Sequence, residues 1–162
     1  KMEWMRRFGH KGPDDFHGVA MNAKLSEVHA AMGLANYQHL DAVAKGRRVV
    51  CEAYDRKLEL VSNIERAFRV RSGTRWNHAY YPVLCKTSEQ RDVLIAKAEA
   101  AGVFMRRYFS PSLDQVASLG DREVVAPVSH DITSRILCLP LSATMTVEDI
   151  ERVTDLLDNA SV

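Results

Sequence analysis

From Lys24 to Leu58 the chain carries a helical period far longer than any other pattern in it, and that run constrains everything downstream. Leu25, Val28, His29, Met32 and Ala35 mark one face of a first helix. Leu40, Val43, Arg47, Val50, Tyr54 and Leu58, spaced three to four apart, mark one face of a second. A run of about 35 residues exceeds the usual length of a globular helix. A bend is therefore expected between Asn36 and His39 or at Gly46.

Beyond Leu58 the chain offers only short elements. Glu65 to Arg75 reads as a basic connector, with Arg66, Arg69, Arg71 and Arg75 close together. Trp76 to Leu84 reads as an aromatic-rich strand, with Pro82 placing it at an edge or where its missing N–H faces nothing. Ser88 to Ala101 is a helix closed by Gly102, a residue suited to the left-handed turn after a helix. Val103 to Phe109 reads as a second strand, ended by Ser110-Pro111, and a short helix is possible near 112–119. Ile136 to Leu141 is a third strand. Thr146 then caps a last helix through T-V-E-D, with Val147, Ile150, Val153, Leu156 and Leu157 on its buried face. Strands this close together cannot all be parallel. The expected fold is a small α/β (α+β) domain: a long bent helix pair, then a three-stranded mixed or antiparallel sheet with helices packed on one side.

A chain of 162 residues is one domain, or one with an appendage. It can bury roughly 70% of its unfolded surface, so neither disulfide nor metal is required for a core. The net charge of +1 gives no bulk attraction to nucleic acid or membrane. Cys51, Cys85 and Cys138 are odd in number, lie far apart and sit in apolar settings, which points to buried reduced thiols and a cytoplasmic protein. No apolar run approaches the length of a membrane-spanning helix, and Lys1 to His10 lacks the apolar region of a signal peptide. The start at Lys1, with Trp4, Met5 and Phe8 exposed to nothing obvious, suggests a piece of a longer chain.

Few constellations could carry chemistry. Gly9 to Gly18 is a loop, and beyond it Asn22 sits where a helix N-cap would sit, with Lys24 in the same turn. Cap and solvated lysine is one reading. The other is a phosphate seat, because a helix start presents unpaired N–H groups and partial positive charge. Arg106, Arg107 and Tyr108 lie together in the Val103–Phe109 segment, with the two arginines on opposite faces by alternation. Guanidiniums beside rings suit a diphosphate-linked ligand, and an exposed basic strand end is the alternative. The six histidines show no metal-ligand spacing, and His29 is expected as a hydrogen-bonded core residue. The arginines from Arg66 to Arg75 lack an aromatic platform or glycine motif and read as solvated rather than RNA-binding. No Ser-His-Asp order, P-loop or dinucleotide glycine motif is present.

Three segments together resemble the C-terminal part of the nucleotide-sugar aminotransferases of the DegT/DnrJ/StrS type, pyridoxal-phosphate (PLP) enzymes of fold type I. They are R-R-F-G-H-K-G-P-D-D-F-H-G-V-A-M-N-A-K-L-S-E-V-H-A-A-M-G-L at 6–34, Y-Y-P-V-L at 80–84 leading to G-V-F-M-R-R-Y-F-S-P-S-L at 102–113, and L-C-L-P-L with M-T-V-E-D-I-E-R-V at 137–153. R-R-F-G-H-K-G-P and R-R-Y-F look most like the branch acting on dTDP-keto-6-deoxyhexoses.

The resemblance implies a homodimer whose active sites lie at the subunit interface. It implies that Asn22 binds the PLP phosphate of the neighbouring subunit with Lys24 nearby, and that Arg106, Arg107 and Tyr108 lie by the diphosphate and base of a nucleotide-sugar substrate. An amino acid would donate the amino group. Where relatives often have an aromatic residue this chain has Ser110. The family's cofactor-bearing lysine, its pyridinium-pairing aspartate and its ring-stacking aromatic belong to a large domain that would precede Lys1. Residues 1–23 would then lead in from that domain and 24–162 would form the small domain. No catalytic residue and no metal ligand is expected in this chain, which alone should be inactive. A stand-alone binding or dimerisation module of the same fold is the alternative.

Overall fold

The computed structural model describes residues 1–16, 18–116 and 126–158. Its contacts divide the chain into two units, Lys1–Leu40 and Asp41–Val162.

The first unit opens with a one-turn helix, α1 (Met2–Met5), and a loop that returns along it. Met21 N donates to Met5 O (3.0 Å), Phe8 N to Met21 O (3.2 Å) and Ala23 N to Arg6 O (2.9 Å). These bonds, with the bridge between Arg7 and Asn22, hold residues 21–23 extended. Helix α2 (Glu27–Tyr37) therefore begins later than expected. Its cap is Ser26, whose hydroxyl accepts from His29 N at 3.3 Å, and not Asn22. Helix α2 buries no residue of its own, so the expected stripe of Leu25, Val28 and Met32 is exposed. His29 is exposed as well, with Nδ1 2.7 Å from Ser26 Oγ, a cap neighbour and not a core group.

The helical run is interrupted at Gln38 and His39, within the first of the two expected positions, and resumes as α3 (Leu40–Leu58). Gly46 is not a bend. It lies inside α3 where a Cβ would stand 2.7 Å from Ala143 O, so the position needs a residue without a side chain. Val50, Cys51 and Tyr54 are the buried face of α3.

The sheet is three-stranded and antiparallel, in the order β1 (Ile64–Arg66), β2 (Tyr81–Cys85), β3 (Ile136–Leu139). Its membership corrects two expectations. β1 overlaps the head of the connector expected to be solvated, and Arg66 is half-buried. Its guanidinium lies 4.2 Å from the Phe68 ring, 5.2 Å from Trp76 and 5.7 Å from Tyr81, and pairs with Asp55 at 3.2 Å. Rings and a carboxylate absorb the charge that hides this strand from a hydropathy reading. Val103–Phe109, in turn, is not a strand of the sheet and pairs with β3 through an isolated bridge: Arg106 N donates to Cys138 O (3.3 Å) and Cys138 N to Arg106 O (2.7 Å). The aromatic stretch 76–84 forms strand only from Tyr81, and Pro82 stands in the central strand rather than at an edge. Its carbonyl accepts from Ala67 N at 3.1 Å, just past the end of β1, so the donor it lacks falls where that ladder stops.

Tyr81, Val83 and Cys85 alternate into one core with Val50, Cys51 and Tyr54, with Leu94 and Ala98 of α4 (Ser88–Ala100), and with Val153 and Leu157 of α6 (Val147–Asp158). The three cysteines are free and buried. Burial pushes the Cys51 thiol up to about 12 and the Cys85 thiol up to about 11.

The helix ends follow the expected chemistry. Gly102 (φ +72°) closes α4, with Val103 N on Ala98 O (2.8 Å) and Gly102 N on Glu99 O (3.0 Å), the paired bonds of a Schellman turn. Thr146 and Asp149 cap α6 reciprocally, Asp149 N to Thr146 Oγ1 at 3.1 Å and Thr146 N to Asp149 Oδ2 at 2.9 Å. Val147, expected on the buried face, is exposed because it precedes the first core-facing turn. A 3-10 turn, Leu113–Gln115, occupies part of the possible helix near 112–119, whose last residues lie outside the described ones. Helix α5 (Pro127–Arg135), started by proline in its first turn, runs directly into β3. Among the described residues no helix is long and apolar enough to cross a membrane.

Candidate functional site

In the first unit, Asn22 and Lys24 stand on the extended stretch ahead of α2, both exposed. The return loop fixes the Asn22 backbone, so its amide projects from a defined main chain without an intrachain partner being needed to position it. The Lys24 ammonium lies 4.7 Å from the centroid of Phe8, which limits where its charge can go. The helix-start argument for an anion at Asn22 does not hold: the cap is four residues on, and Glu27 places a carboxylate in that first turn. What remains is a pair of side-chain donors, an amide NH2 and an ammonium, on a short hydrogen-bonded loop. Such donors can hold a phosphate.

In the second unit, the bridge at Cys138 anchors Arg106, and the chain beyond it carries Arg107, Tyr108 and Phe109 outward. Arg106 donates through Nη1 to the Tyr108 hydroxyl, with its guanidinium 5.3 Å from the Tyr108 ring centroid. Arg107 reaches the other way, Nη2 standing 3.4 Å from Ser110 Oγ. The two arginines thus have different partners, and both are exposed. Behind them Cys138 Sγ lies 3.8 Å from Tyr108 O, and burial raises its thiol. Downstream, Ser112 Oγ donates to Asp114 Oδ1 at 2.5 Å and Asp114 Oδ2 pairs with His130 Nε2 at 2.6 Å. The hydroxyl bond and then the histidine hold the Asp114 carboxyl below the usual range, and the pair ties the stretch after Phe109 to α5.

Sequence reasoning missed two members of this group. Tyr80 lies edge-on to Tyr108 (5.6 Å, 89°) and to Phe109 (6.1 Å, 77°), and Tyr108 stacks on Phe109 at 4.9 Å and 12°. The signal was available in the Tyr80-Tyr81 pair. With Tyr81 committed to the core, alternation turns Tyr80 to the other face.

Known proteins share this fold. The chain is 30% identical to a dTDP-4-amino-4,6-dideoxy-D-glucose transaminase of Shigella dysenteriae over 158 residues, which cover 94% of the chain and 42% of that enzyme. The crystal structure of DesI, determined in the presence of its TDP-sugar product, matches with a TM-score of 0.84 and 30% identity over 98% of this chain and 41% of that one. A DegT/DnrJ/EryC1/StrS aminotransferase from Brucella abortus shares the fold, with a TM-score of 0.85 and 21% identity over 98% of this chain and 42% of its own. The chain thus spans less than half the length of the relatives it matches. The family model of the DegT/DnrJ/EryC1/StrS aminotransferases matches residues 1–158, and the chain belongs to that family.

Proposed function

We propose that this chain is the C-terminal portion of a PLP-dependent aminotransferase that moves an amino group from an amino acid to a nucleotide-linked keto-sugar, a dTDP-keto-6-deoxyhexose in the first instance. The observation that carries the reading is Arg106 and Arg107 standing exposed beside half-buried Tyr108 on a segment anchored to β3, in a chain 30% identical to a dTDP-sugar transaminase. On this reading residues 1–23 lead in from the cofactor-carrying part and 24–162 form the small domain. Two copies of the longer polypeptide pair, and the exposed stripe of α2 and its loop is where cover from the rest of that assembly is needed.

Each side chain then has a task. Asn22 donates its amide, and Lys24 its charge, to the phosphate end of PLP in the neighbouring subunit. Arg106 and Arg107 hold the two phosphates of the substrate from opposite sides, as forked donors do. When bound, PLP supplies the electron sink for amino-group transfer. The lysine that carries it belongs to the portion of the relatives this chain does not span, so the chain by itself is inactive.

The test is Asn22→Ala in the polypeptide that retains PLP. Cofactor retention should weaken by about 1–3 kcal/mol, the value of one charge-assisted contact. Unchanged retention would reduce Asn22 to a loop residue.

A further inference from the structure

Strand β1 is the outer strand of the sheet, and its ladder shows which main-chain groups are already used. Glu65 faces Leu84, and two residues on Ala67 N donates to Pro82 O in the same register. In an antiparallel pair, residues that exchange bonds alternate with residues that do not. Glu65 and Ala67 therefore turn their main-chain groups toward β2, and Ile64 and Arg66 turn theirs away from it. The N–H and C=O groups of Ile64 and Arg66 have no backbone partner among the described residues. Such an edge accepts a further strand unless something blunts it, and β1 holds no proline. Two clefts adjoin it. One, of about 530 Å³, lies between β1 and the end of α3 and is lined by Leu58 and Val61. The other, of about 260 Å³, extends toward Leu84 and Lys86.

We propose that the open edge of β1 is a docking site for an extended segment of a partner protein, apolar on one face and basic on the other, which adds a fourth strand to the sheet. Main-chain bonds to Ile64 and Arg66 fix its register, and alternate side chains give the selectivity. Residues opposite Ile64 and Arg66 fall on the α3 side, where Leu58 and Val61 favour aliphatic groups and the Arg66 guanidinium disfavours a second cation. The residue between them falls opposite Glu65, on the other face. Glu65 is exposed and forms no ion pair among the described residues. Arg135, the guanidinium beside that cleft, is already held by Asp131 through two hydrogen bonds. A lysine or arginine on the added strand therefore completes a cross-strand pair with Glu65. A second copy of the chain fits less well. Two β1 strands paired over their full length set Glu65 against Glu65, and like charges directly opposite are destabilising.

The experiment is a titration of the 162-residue chain with a labelled peptide of alternating valine and lysine, followed by fluorescence anisotropy and by amide shifts. The controls are the same peptide with glutamate in place of lysine, and the lysine peptide N-methylated at its valines. The lysine peptide should bind about tenfold more tightly than the glutamate peptide and weaken as salt rises. Binding should shift the amides of residues 62–67 and slow exchange at Ile64 and Arg66, and N-methylation should abolish it. Glu65→Lys should invert the preference, so that the glutamate peptide binds the better. Because Glu65 is exposed, an unchanged urea midpoint certifies that this variant folds. Absence of binding, equal affinity for the two peptides, or shifts away from 62–67 overturns the proposal. So does a chain that dimerises through β1 and releases the dimer when peptide is added, because a second copy is then the occupant. Slow exchange at Ile64 and Arg66 in the peptide-free longer polypeptide that retains PLP overturns it as well, since that polypeptide then covers its own edge.

Discussion

Gly33 and Gly46 lie in consecutive helices and in opposite surroundings. A methyl group on Gly46 would strike the Ala143 backbone at 2.7 Å, whereas one on Gly33 would meet nothing within 4 Å. The contrast extends to the units that contain them. Asp41–Val162 supplies every residue of the buried core among the described residues, caps α6 reciprocally, and shelters a guanidinium among rings. Lys1–Leu40 has its own hydrogen-bonded loop and a capped helix but contributes nothing to that core, and it leaves Val28, Met32 and Leu34 in solvent. One unit is specified by what it packs against itself. The other is specified by main-chain bonds and leaves its apolar face exposed.

The largest test of that contrast is truncation. Leu94→Ala, at a fully buried position, should cost about 2–5 kcal/mol in urea unfolding of the 162-residue chain. Val28→Ala, at an exposed one, should stay within about 0.5 kcal/mol. Comparable losses would erase the distinction. Next are the glycines themselves. Gly46→Ala should destabilise by about 1–3 kcal/mol through overpacking, read from the same midpoints, and Gly33→Ala should strengthen α2 by up to about 1 kcal/mol through helix propensity, read from amide exchange within that helix. A tolerated Gly46→Ala would show that α3 can move away from Ala143.

Caps give a smaller effect with a sharper signature. Thr146→Ala should remove about 1 kcal/mol from global unfolding. Ser26→Ala should instead raise amide exchange in the first turn of α2 while leaving the global midpoint in place, since that helix opens without the core. A shift of the midpoint by both would mean the units unfold as one.

The smallest effect concerns pH. Ser112 and His130 hold the Asp114 carboxyl below its ordinary value. A depressed folded-state value contributes stability above the unfolded value, near 3.9, and loses it as pH falls through the folded one. Asp114→Asn should therefore lower stability slightly in the neutral region and flatten the acid limb below about pH 4, so that the two profiles converge in acid. Profiles superimposable throughout would show that the pair contributes nothing to stability.

How much was legible tracks the same division. Helix α4 with Gly102, helix α6 with its Thr146 box and strand β3 were readable because cap chemistry and apolar period agree there. Strand β1 was hidden because Glu65 and Arg66 are charged, and only tertiary rings and Asp55 make Arg66 tolerable inside the domain. The start of α2 was misplaced because Asn22 and Ser26 are equally good caps locally, and the choice is made by a bridge to Arg7, fifteen positions earlier. Arg106 to Tyr108 could be named from residue type beside residue type. Tyr80 joins them from another element, and Phe109 takes the outer place in the stack only because of how the chain leaves Cys138.

That this chain holds donors for a cofactor it does not itself carry can be tested by reductive trapping. One equivalent of PLP is added to the 162-residue chain, borohydride is added next, and the lysines are mapped by peptide mass spectrometry. No lysine should be modified in stoichiometric yield, and no cofactor absorbance should survive gel filtration. A single lysine labelled to completion, Lys11 or Lys24 above all, would contradict that assignment.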